Sequence, residues 1–260
     1  MTSAQRLRAG DFVAIGRQII EIDHEFADSI QEGDEVIAVA SLGVLRRISS
    51  TVKQIVDDSM SNATLAFDQM STVSEDQVTH FFDIAARLLA DDQVFDSIAL
   101  ANLNDVERAK ERGRSTTRLE LSSSMRHDMV SAFEMWRDLA DSRSQLRSTV
   151  QHDGWVVEEW TSPLGVIGFV FEGRPNVFAD ATGVLRSGNT VVFRIGSDAL
   201  GTANELMNSV IRPALQQSNL PPHAVVLLNS AEHSAGWALF SDSRLSLAVA
   251  RGSGEAVAEL

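Results

Sequence analysis

The 260-residue chain contains no cysteine. This absence excludes disulfide bonds, cysteine-based zinc sites and a cysteine nucleophile within these residues. Lysine is almost as scarce, because only Lys53 and Lys110 stand against 20 arginines. A P-loop needs a lysine directly after a glycine-rich loop, so that class of nucleotide site is excluded as well.

Positive charge is in deficit, and long apolar runs are lacking. Lys and Arg total 22 against 36 Asp and Glu, which gives a net charge of −14 and predicts no nucleic-acid partner. The longest uncharged apolar-rich run, Val36 to Leu45, is too short to cross a bilayer, and the amino-terminal residues do not resemble a signal peptide. We therefore expect a cytoplasmic protein that is not embedded in a membrane. The six histidines show no metal-ligand spacing, so no metal site is expected.

Proline and charge divide the chain at one place. All five prolines lie between residues 163 and 222, and residues 163–260 carry a net charge of −2 against −12 for residues 1–162. Residues 1–150 read as a mainly helical part. Ser74 and Gln77 form a capping box, Asn104 or Asp105 is expected to begin a helix that Gly113 ends, and residues 125–139 show a helical apolar stripe. Weaker helical patterns cover residues 14–31 and 35–60.

Residues 163–260 alternate between strand and helix patterns. Four apolar runs at 164–171, 189–195, 224–228 and 246–250 predict buried strands. Helices are expected at 176–187, ended by Gly188, at 199–215, where Pro213 is expected to kink or shorten the helix, and at 234–240. This order predicts an α/β fold with a doubly wound, Rossmann-like parallel sheet, whose ligands bind beyond the carboxyl ends of the strands.

Two of these strand ends carry residues suited to an anion. Arg174, in the segment 172–176, offers a bidentate grip beside Pro175, which suits the start of a helix. The segment RGSG at 251–254 lets a phosphate approach the backbone, although a purely structural turn stays an open alternative. Arg194, at the end of the second strand, is a further candidate, with an ordinary surface arginine as the alternative.

Several motifs resemble those of gamma-glutamyl phosphate reductases, also called glutamate-5-semialdehyde dehydrogenases. Residues 162–177 read SPLGVIGFVFEGRPNV, which is similar to the family run PLGVIGVIYEARPNV. Weaker matches follow at 187–192, 194–199, 220–225 and 251–254, and the pattern A-N-x-x-D-V-x-x-A-x-x-x-G at 101–113 also occurs in the family. The resemblance covers residues 75–260, whereas residues 1–50 look like a divergent or extended amino terminus.

The resemblance implies an aldehyde dehydrogenase fold and NADPH-dependent reduction of L-glutamyl 5-phosphate to glutamate 5-semialdehyde, in proline biosynthesis. It implies that NADP(H) contacts Arg194, Gly196 and Ser197 at its adenosine end, and Arg251, Gly252, Ser253 and Gly254 at its pyrophosphate. Arg174 or Asn176 is expected at the substrate end, as the contact to an oxyanion, with helix capping as an alternative for Asn176. Residues 151–162 are expected to be a strand of the oligomerisation type, with partner strands from outside this chain, so a homo-oligomer is expected.

One departure from the family is large. Its nucleophilic cysteine lies some tens of residues beyond the RGSG-like turn, and no residue among these 260 replaces it. We therefore expect a chain truncated before the catalytic cysteine, with the catalytic domain absent, that is inactive by itself. A non-catalytic nucleotide-binding or interaction module left by truncation is the alternative.

Overall fold

A computed structural model describes residues 7–140, 143–254 and 257 of the chain. Its strands are β1 Phe12–Ile15, β2 Gln18–Glu21, β3 Glu35–Val39, β4 Val44–Ile48, β5 Leu146–His152, β6 Trp155–Trp160, β7 Val166–Phe171, β8 Thr190–Arg194, β9 Val225–Leu227 and β10 Leu245–Arg251. Its helices are α1 His24–Ser29, α2 Ser50–Met70, α3 Glu75–Ala90, α4 Asp92–Glu111, α5 Ser123–Asp138, α6 Phe178–Thr182, α7 Leu200–Leu206, α8 Arg212–Gln217 and α9 Ser234–Ser241.

The predicted parallel sheet is confirmed. Its four strands lie in the order β10-β7-β8-β9, and every neighbouring pair is parallel. Each strand lies within two residues of its predicted bounds, because an uninterrupted apolar run is typical of a strand covered on both faces. In the register of the sheet Val170 lies between Ala250 and Arg194, so the carboxyl ends of three strands meet at one edge.

Helices cover both faces of this sheet. Along β8, Val191 and Phe193 belong to a core that includes α3, α5 and α7, whereas Val192 belongs to a core formed with α2 and α9. Alternate residues of a strand point to opposite faces, which produces this division. The early helices therefore share their core with the sheet, while the proposed division of the chain at residues 150 and 162 stays a prediction.

The helices around the predicted capping box form as expected. The Ser74 hydroxyl accepts the Gln77 amide at 3.2 Å, and the Gln77 side chain accepts the Ser74 amide at 3.0 Å. The apolar stripe at 125–139 corresponds to α5. Gly188 has a φ of +76° and ends the 176–187 segment, which consists of α6 between two short 3-10 turns.

The predicted start of α4 is wrong. The helix begins at Asp92, because Asp91 is its N-cap and accepts the amides of Gln93 and Val94. Asn102 and Asp105 lie buried within the helix and bind Thr202 instead: Asp105 accepts the Thr202 amide and hydroxyl, both at 2.7 Å. The A-N-x-x-D-V motif thus fastens α4 to the start of α7.

The helices predicted at 14–31 and 35–60 are also wrong over most of their length. Two antiparallel hairpins, β1-β2 and β3-β4, occupy this region, with the short α1 between them, and within the two predicted segments only residues 24–29 and 50–60 are helical. Glycines at positive φ, Gly16 at +60° and Gly43 at +62°, close the two hairpins. Such glycines favour tight turns, and they interrupt the apolar spacing that suggested a helix.

The strand predicted before the sheet is confirmed as β6, but its expected partner is not. β6 pairs with β5 of the same chain, through a two-residue turn at Asp153-Gly154 in which Gly154 has a φ of +80°. The expectation that its partner strands lie wholly outside the chain is therefore wrong for one edge. Every residue of both strands is exposed.

The long helix predicted at 199–215 has an irregular middle. Residues 207–211 form a π-helical segment between α7 and α8, directly before Pro213. Proline lacks an amide hydrogen and disturbs the preceding turn, and a widened turn is one way to accommodate it. Pro213 therefore distorts the helix, as predicted, and the helical path continues to Gln217.

Candidate functional site

The carboxyl edge of the sheet is the place where the chain reverses direction across the sheet. From β7 the chain moves outward to β8 and β9, and then returns through α9 to β10 on the other side of β7. In open α/β sheets ligands bind at such a reversal. The last residues of β8 and β10 and the loops that follow β7, β8 and β10 meet there, and they carry all of the candidate residues.

Two adjacent cavities of about 220 Å³ each lie at this edge. The first, here the Arg194 cavity, is lined by five of the residues predicted to bind a cofactor: Arg194, Gly196, Ser197, Arg251 and Gly252. The second, the Arg174 cavity, is lined by both substrate-end candidates and by the remaining polar member of the RGSG turn: Arg174, Asn176 and Ser253. Gly254 lines neither cavity. The two cavities share Phe171, Glu172, Arg251 and Gly252.

Arg194 is a buried cation with an unused donor. Its side chain is only 4% exposed, so the alternative of an ordinary surface arginine is wrong. Its Nε donates to the Glu232 carbonyl at 3.2 Å, while Nη2 has no hydrogen-bond partner within the described part of the chain. Burial lowers the pKa of this guanidinium. A buried charge without a partner is costly, and a ligand anion in the Arg194 cavity would satisfy it.

Gly196 brings two loops of the site into backbone contact. A Cβ atom at this position would lie 2.5 Å from the Gly173 nitrogen and 2.8 Å from the Gly173 Cα. Only glycine lets the loop after β8 pack this closely on the loop after β7. Gly196 therefore sets the spacing of the two loops, in addition to any contact with a ligand.

A loop between α4 and α5 brings further arginines to the site. Arg114 lines the Arg194 cavity and donates to both carboxylate oxygens of Asp198, at 2.7 and 2.8 Å. This bidentate bond raises the pKa of Arg114. Arg118 lines the Arg174 cavity. Both residues were missed from the sequence, although three arginines at 112, 114 and 118, on either side of the helix-closing Gly113, were a usable signal.

Glu172 is the other residue that the sequence analysis missed. Its carboxylate accepts the Ser253 amide hydrogen and lies 3.7 Å from the Arg174 guanidinium. The pKa of Glu172 is lowered, first by the Ser253 backbone bond, then by the Ser253 hydroxyl, with smaller contributions from the charges of Arg174 and Arg118. Glu172 thus lies on the RGSG turn, between the two cavities.

The remaining candidates occupy the rim. Arg251 forms an ion pair with Asp180 of α6 and reaches both cavities. Asn176 is exposed in the 3-10 turn after β7, and no side-chain hydrogen bond caps α6, the helix that follows, so the capping alternative for Asn176 is wrong.

The described residues also bear on membrane insertion and on metal binding. None of their helices is both long enough and apolar enough to cross a bilayer. These residues also contain no group of three or more His, Asp or Glu side chains placed to hold a metal ion.

Comparison with known proteins gives a consistent result. The gamma-glutamyl phosphate reductases of Limosilactobacillus reuteri (strain DSM 20016) and Bacillus subtilis (strain 168) are each 37% identical to the chain over 151 residues, which is 56% of this chain and 36% of each relative. The crystal structure of the Thermotoga maritima gamma-glutamyl phosphate reductase matches with a TM-score of 0.72 and 28% identity, over 78% of this chain and 50% of that one. No family model matches the chain.

The chain is homologous to gamma-glutamyl phosphate reductases. It spans about a third to a half of the length of these reductases. More distant aldehyde dehydrogenases share the fold; an engineered glycolyl-CoA reductase with bound NADP+ matches with a TM-score of 0.57 and 16% identity, over 77% of this chain and 43% of that one. The resemblance that the motifs suggested is therefore confirmed, and so is the α/β fold class.

Proposed function

We propose that this chain supplies the cofactor-binding part of an NADPH-dependent oxidoreductase that reduces L-glutamyl 5-phosphate to glutamate 5-semialdehyde. The homology to gamma-glutamyl phosphate reductases supports the reaction. The observation that carries the cofactor assignment is Arg194, which lines a cavity at the reversal point of the sheet and whose buried Nη2 lacks a partner among the described residues.

The donor groups around the Arg194 cavity fit a dinucleotide phosphate. In the proposal Arg194, Gly196 and Ser197 contact the adenosine end, where the permanently charged, forked guanidinium suits a 2′-phosphate. Arg251 and the turn Gly252–Gly254 face the pyrophosphate, because the backbone amides of a glycine-rich turn are suited to bind phosphate oxygens. A bound NADPH would supply the hydride of the reduction.

The Arg174 cavity is the proposed substrate end. Arg174 and Asn176 line it and are the candidates to stabilise negative charge on the reacting oxygen; Arg118 adds a second cation beside them. Donors fixed before the reaction stabilise such charge at little cost in reorganisation. The 260 residues contain no cysteine, so the proposal assigns to them binding and positioning, and no thiolate step.

A cofactor titration tests this proposal. We expect NADPH to bind the chain and to bind more tightly than NADH, because only NADPH carries the 2′-phosphate that Arg194 would hold. Isothermal titration calorimetry measures both affinities. Equal affinities would remove the 2′-phosphate from the Arg194 cavity. If the full-length protein bound NADPH and formed no semialdehyde, this result would favour the alternative, a non-catalytic nucleotide-binding module.

We also propose that the β5-β6 hairpin mediates self-association into a homo-oligomer. Trp155 and Trp160 are 56% and 54% exposed, and Val150, Val156 and Val157 are exposed beside them. Apolar side chains grouped on a two-stranded ribbon are typical of an interaction surface. Size-exclusion chromatography with light scattering should show a mass well above 28.3 kDa, and Trp155→Ser together with Trp160→Ser should lower it. A wild-type monomer would contradict this proposal.

A further inference from the structure

We propose that the Glu172 carboxylate occupies the position of a ligand phosphoryl group at the RGSG turn, so that an anion must displace this carboxylate to bind there. The inference rests on the proposed function for the kind of anion, a phosphoryl group of the cofactor or of the acyl phosphate. The proposal describes the ligand-free state of the site, in which Glu172 lowers the affinity of the RGSG turn for an anion.

Glu172 is in direct contact with the RGSG turn. The carboxylate accepts the Ser253 amide hydrogen, which is a donor that a phosphate oxygen would use at such a turn. The Glu172 side chain also covers Gly252: a Cβ there would lie 2.9 Å from the Glu172 Cγ and 3.1 Å from Oε1. The space over Gly252 that a ligand would need is therefore filled by the chain's own anion.

Positively charged side chains surround Glu172. Arg118, Arg174 and Arg251 line the Arg174 cavity, and Glu172 is its only acidic lining residue within the described part of the chain. This grouping of arginines stands out in a chain of net charge −14. The environment stabilises a carboxylate here, because the Ser253 bonds together with Arg174 and Arg118 lower the pKa of Glu172. The same environment would stabilise a phosphoryl group.

Glu172 also borders the neighbouring Arg194 cavity. Glu172 lines the wall between the two cavities, and on the other side of that wall the buried Arg194 has an Nη2 without a partner among the described residues. The Glu172 carboxylate thus accepts the amide hydrogen of the turn, but the Arg194 Nη2 still has no acceptor among the described residues. A ligand with more than one phosphate could satisfy both. When displaced from the turn, Glu172 can keep its interaction with Arg174, which is already within 3.7 Å.

The test compares two variants that remove the same charge. Glu172→Gln weakens the resident acceptor on the Ser253 amide, since a neutral amide oxygen binds less strongly than a carboxylate. Glu120→Gln is the matched control, because Glu120 is exposed, bonds the Thr116 hydroxyl and lines neither cavity. Inorganic pyrophosphate is the probe, titrated by calorimetry at fixed ionic strength.

We expect Glu172→Gln to bind pyrophosphate about tenfold more tightly than the wild type, and Glu120→Gln to bind it like the wild type. Unchanged or weaker binding by Glu172→Gln would overturn the proposal. An NMR measurement on the wild type does not depend on the folding of the variant. In protein labelled with ¹⁵N-serine and ¹³C-glutamate, pyrophosphate should shift the Ser253 amide resonance and the Glu172 carboxyl resonance together. A shift of neither would equally contradict it.

Two competitors distinguish the source of the phosphoryl group. Displacement of pyrophosphate by NADP+ indicates the cofactor, and displacement by acetyl phosphate indicates the acyl phosphate. The readout does not depend on turnover. If NADPH failed to bind and Glu172→Gln still tightened pyrophosphate binding, the proposed function would fail while this inference stood. If NADPH bound and Glu172→Gln left pyrophosphate binding unchanged, this inference would fail while the proposed function stood.

Discussion

Replacing Gly196 with alanine is expected to destabilise the protein by about 3 kcal/mol. The added Cβ would lie 2.5 Å from the Gly173 nitrogen and 2.8 Å from its Cα, and these backbone atoms have no rotamer by which to move aside. The φ of Gly196 is −57°, which alanine adopts freely, so the expected loss comes from crowding and not from backbone strain. Relief of the clash requires the loops after β7 and β8 to separate.

Gly173→Ala is the matched control from the other side of the same contact. A Cβ at Gly173 would meet its nearest atoms at 3.8 Å, an ordinary van der Waals distance. We expect Gly173→Ala to change the free energy of unfolding by less than about 1 kcal/mol. Urea denaturation followed by tryptophan fluorescence measures both variants. Equal stability of the two would show that the loops are not packed as described.

Replacing Arg194 with methionine is expected to produce opposite effects on stability and on cofactor binding. Methionine fills a similar volume without a buried charge, so the free energy of unfolding should stay unchanged or rise by about 1–4 kcal/mol. The affinity for NADPH should fall about 30- to 100-fold, because the proposed contact to the 2′-phosphate is a desolvated, charge-assisted pair. A variant that is at least as stable and yet binds poorly cannot be explained by unfolding.

The control for this experiment is Arg212→Met, which removes the same charge from an exposed position on α8. It should bind NADPH like the wild type. Calorimetric titration gives the affinities, and thermal unfolding gives the stabilities. If the Arg194 variant kept wild-type affinity for NADPH, Arg194 would have no part in the cofactor site, and the lack of a partner for its Nη2 among the described residues would need another explanation.

The strands of the sheet were predictable because their pattern is local. A continuous apolar run such as residues 166–171 needs no distant partner to be recognised, and the alternation with helices then implies a parallel sheet. The amino-terminal hairpins were not recognised, because the prediction followed the spacing of aliphatic residues. The hairpins depend instead on the positive φ angles of Gly16 and Gly43, which close their turns and which that spacing does not reveal. Asp105 was misread for a related reason. It has the residue type of a helix cap, and only the position of Thr202 shows what it binds.

Residues of the site that lie at strand ends could be predicted from the sequence. Residues that reach the site from distant loops could not. Arg194 and Gly252 lie directly at strand ends, so the topology alone places them at one edge. Arg114 and Arg118 reach the same edge from a loop that follows α4, about 80 residues earlier than Arg194 in the chain. Glu172 was within the recognised motif, but its role depends on the Ser253 amide, which is 81 residues away.

The shared core of the early helices and the sheet has a consequence for the order of synthesis. Helices α3 and α5 bury Phe82 and Phe133 in the core that β8 and β9 complete. On the ribosome these helices are finished before the strands exist, by roughly 5–20 s at about 5–20 residues per second. During that interval their apolar faces have no sheet to cover them. The nascent chain therefore passes through a stage in which it is a ready substrate for chaperones, and slower translation of the strands would lengthen that stage.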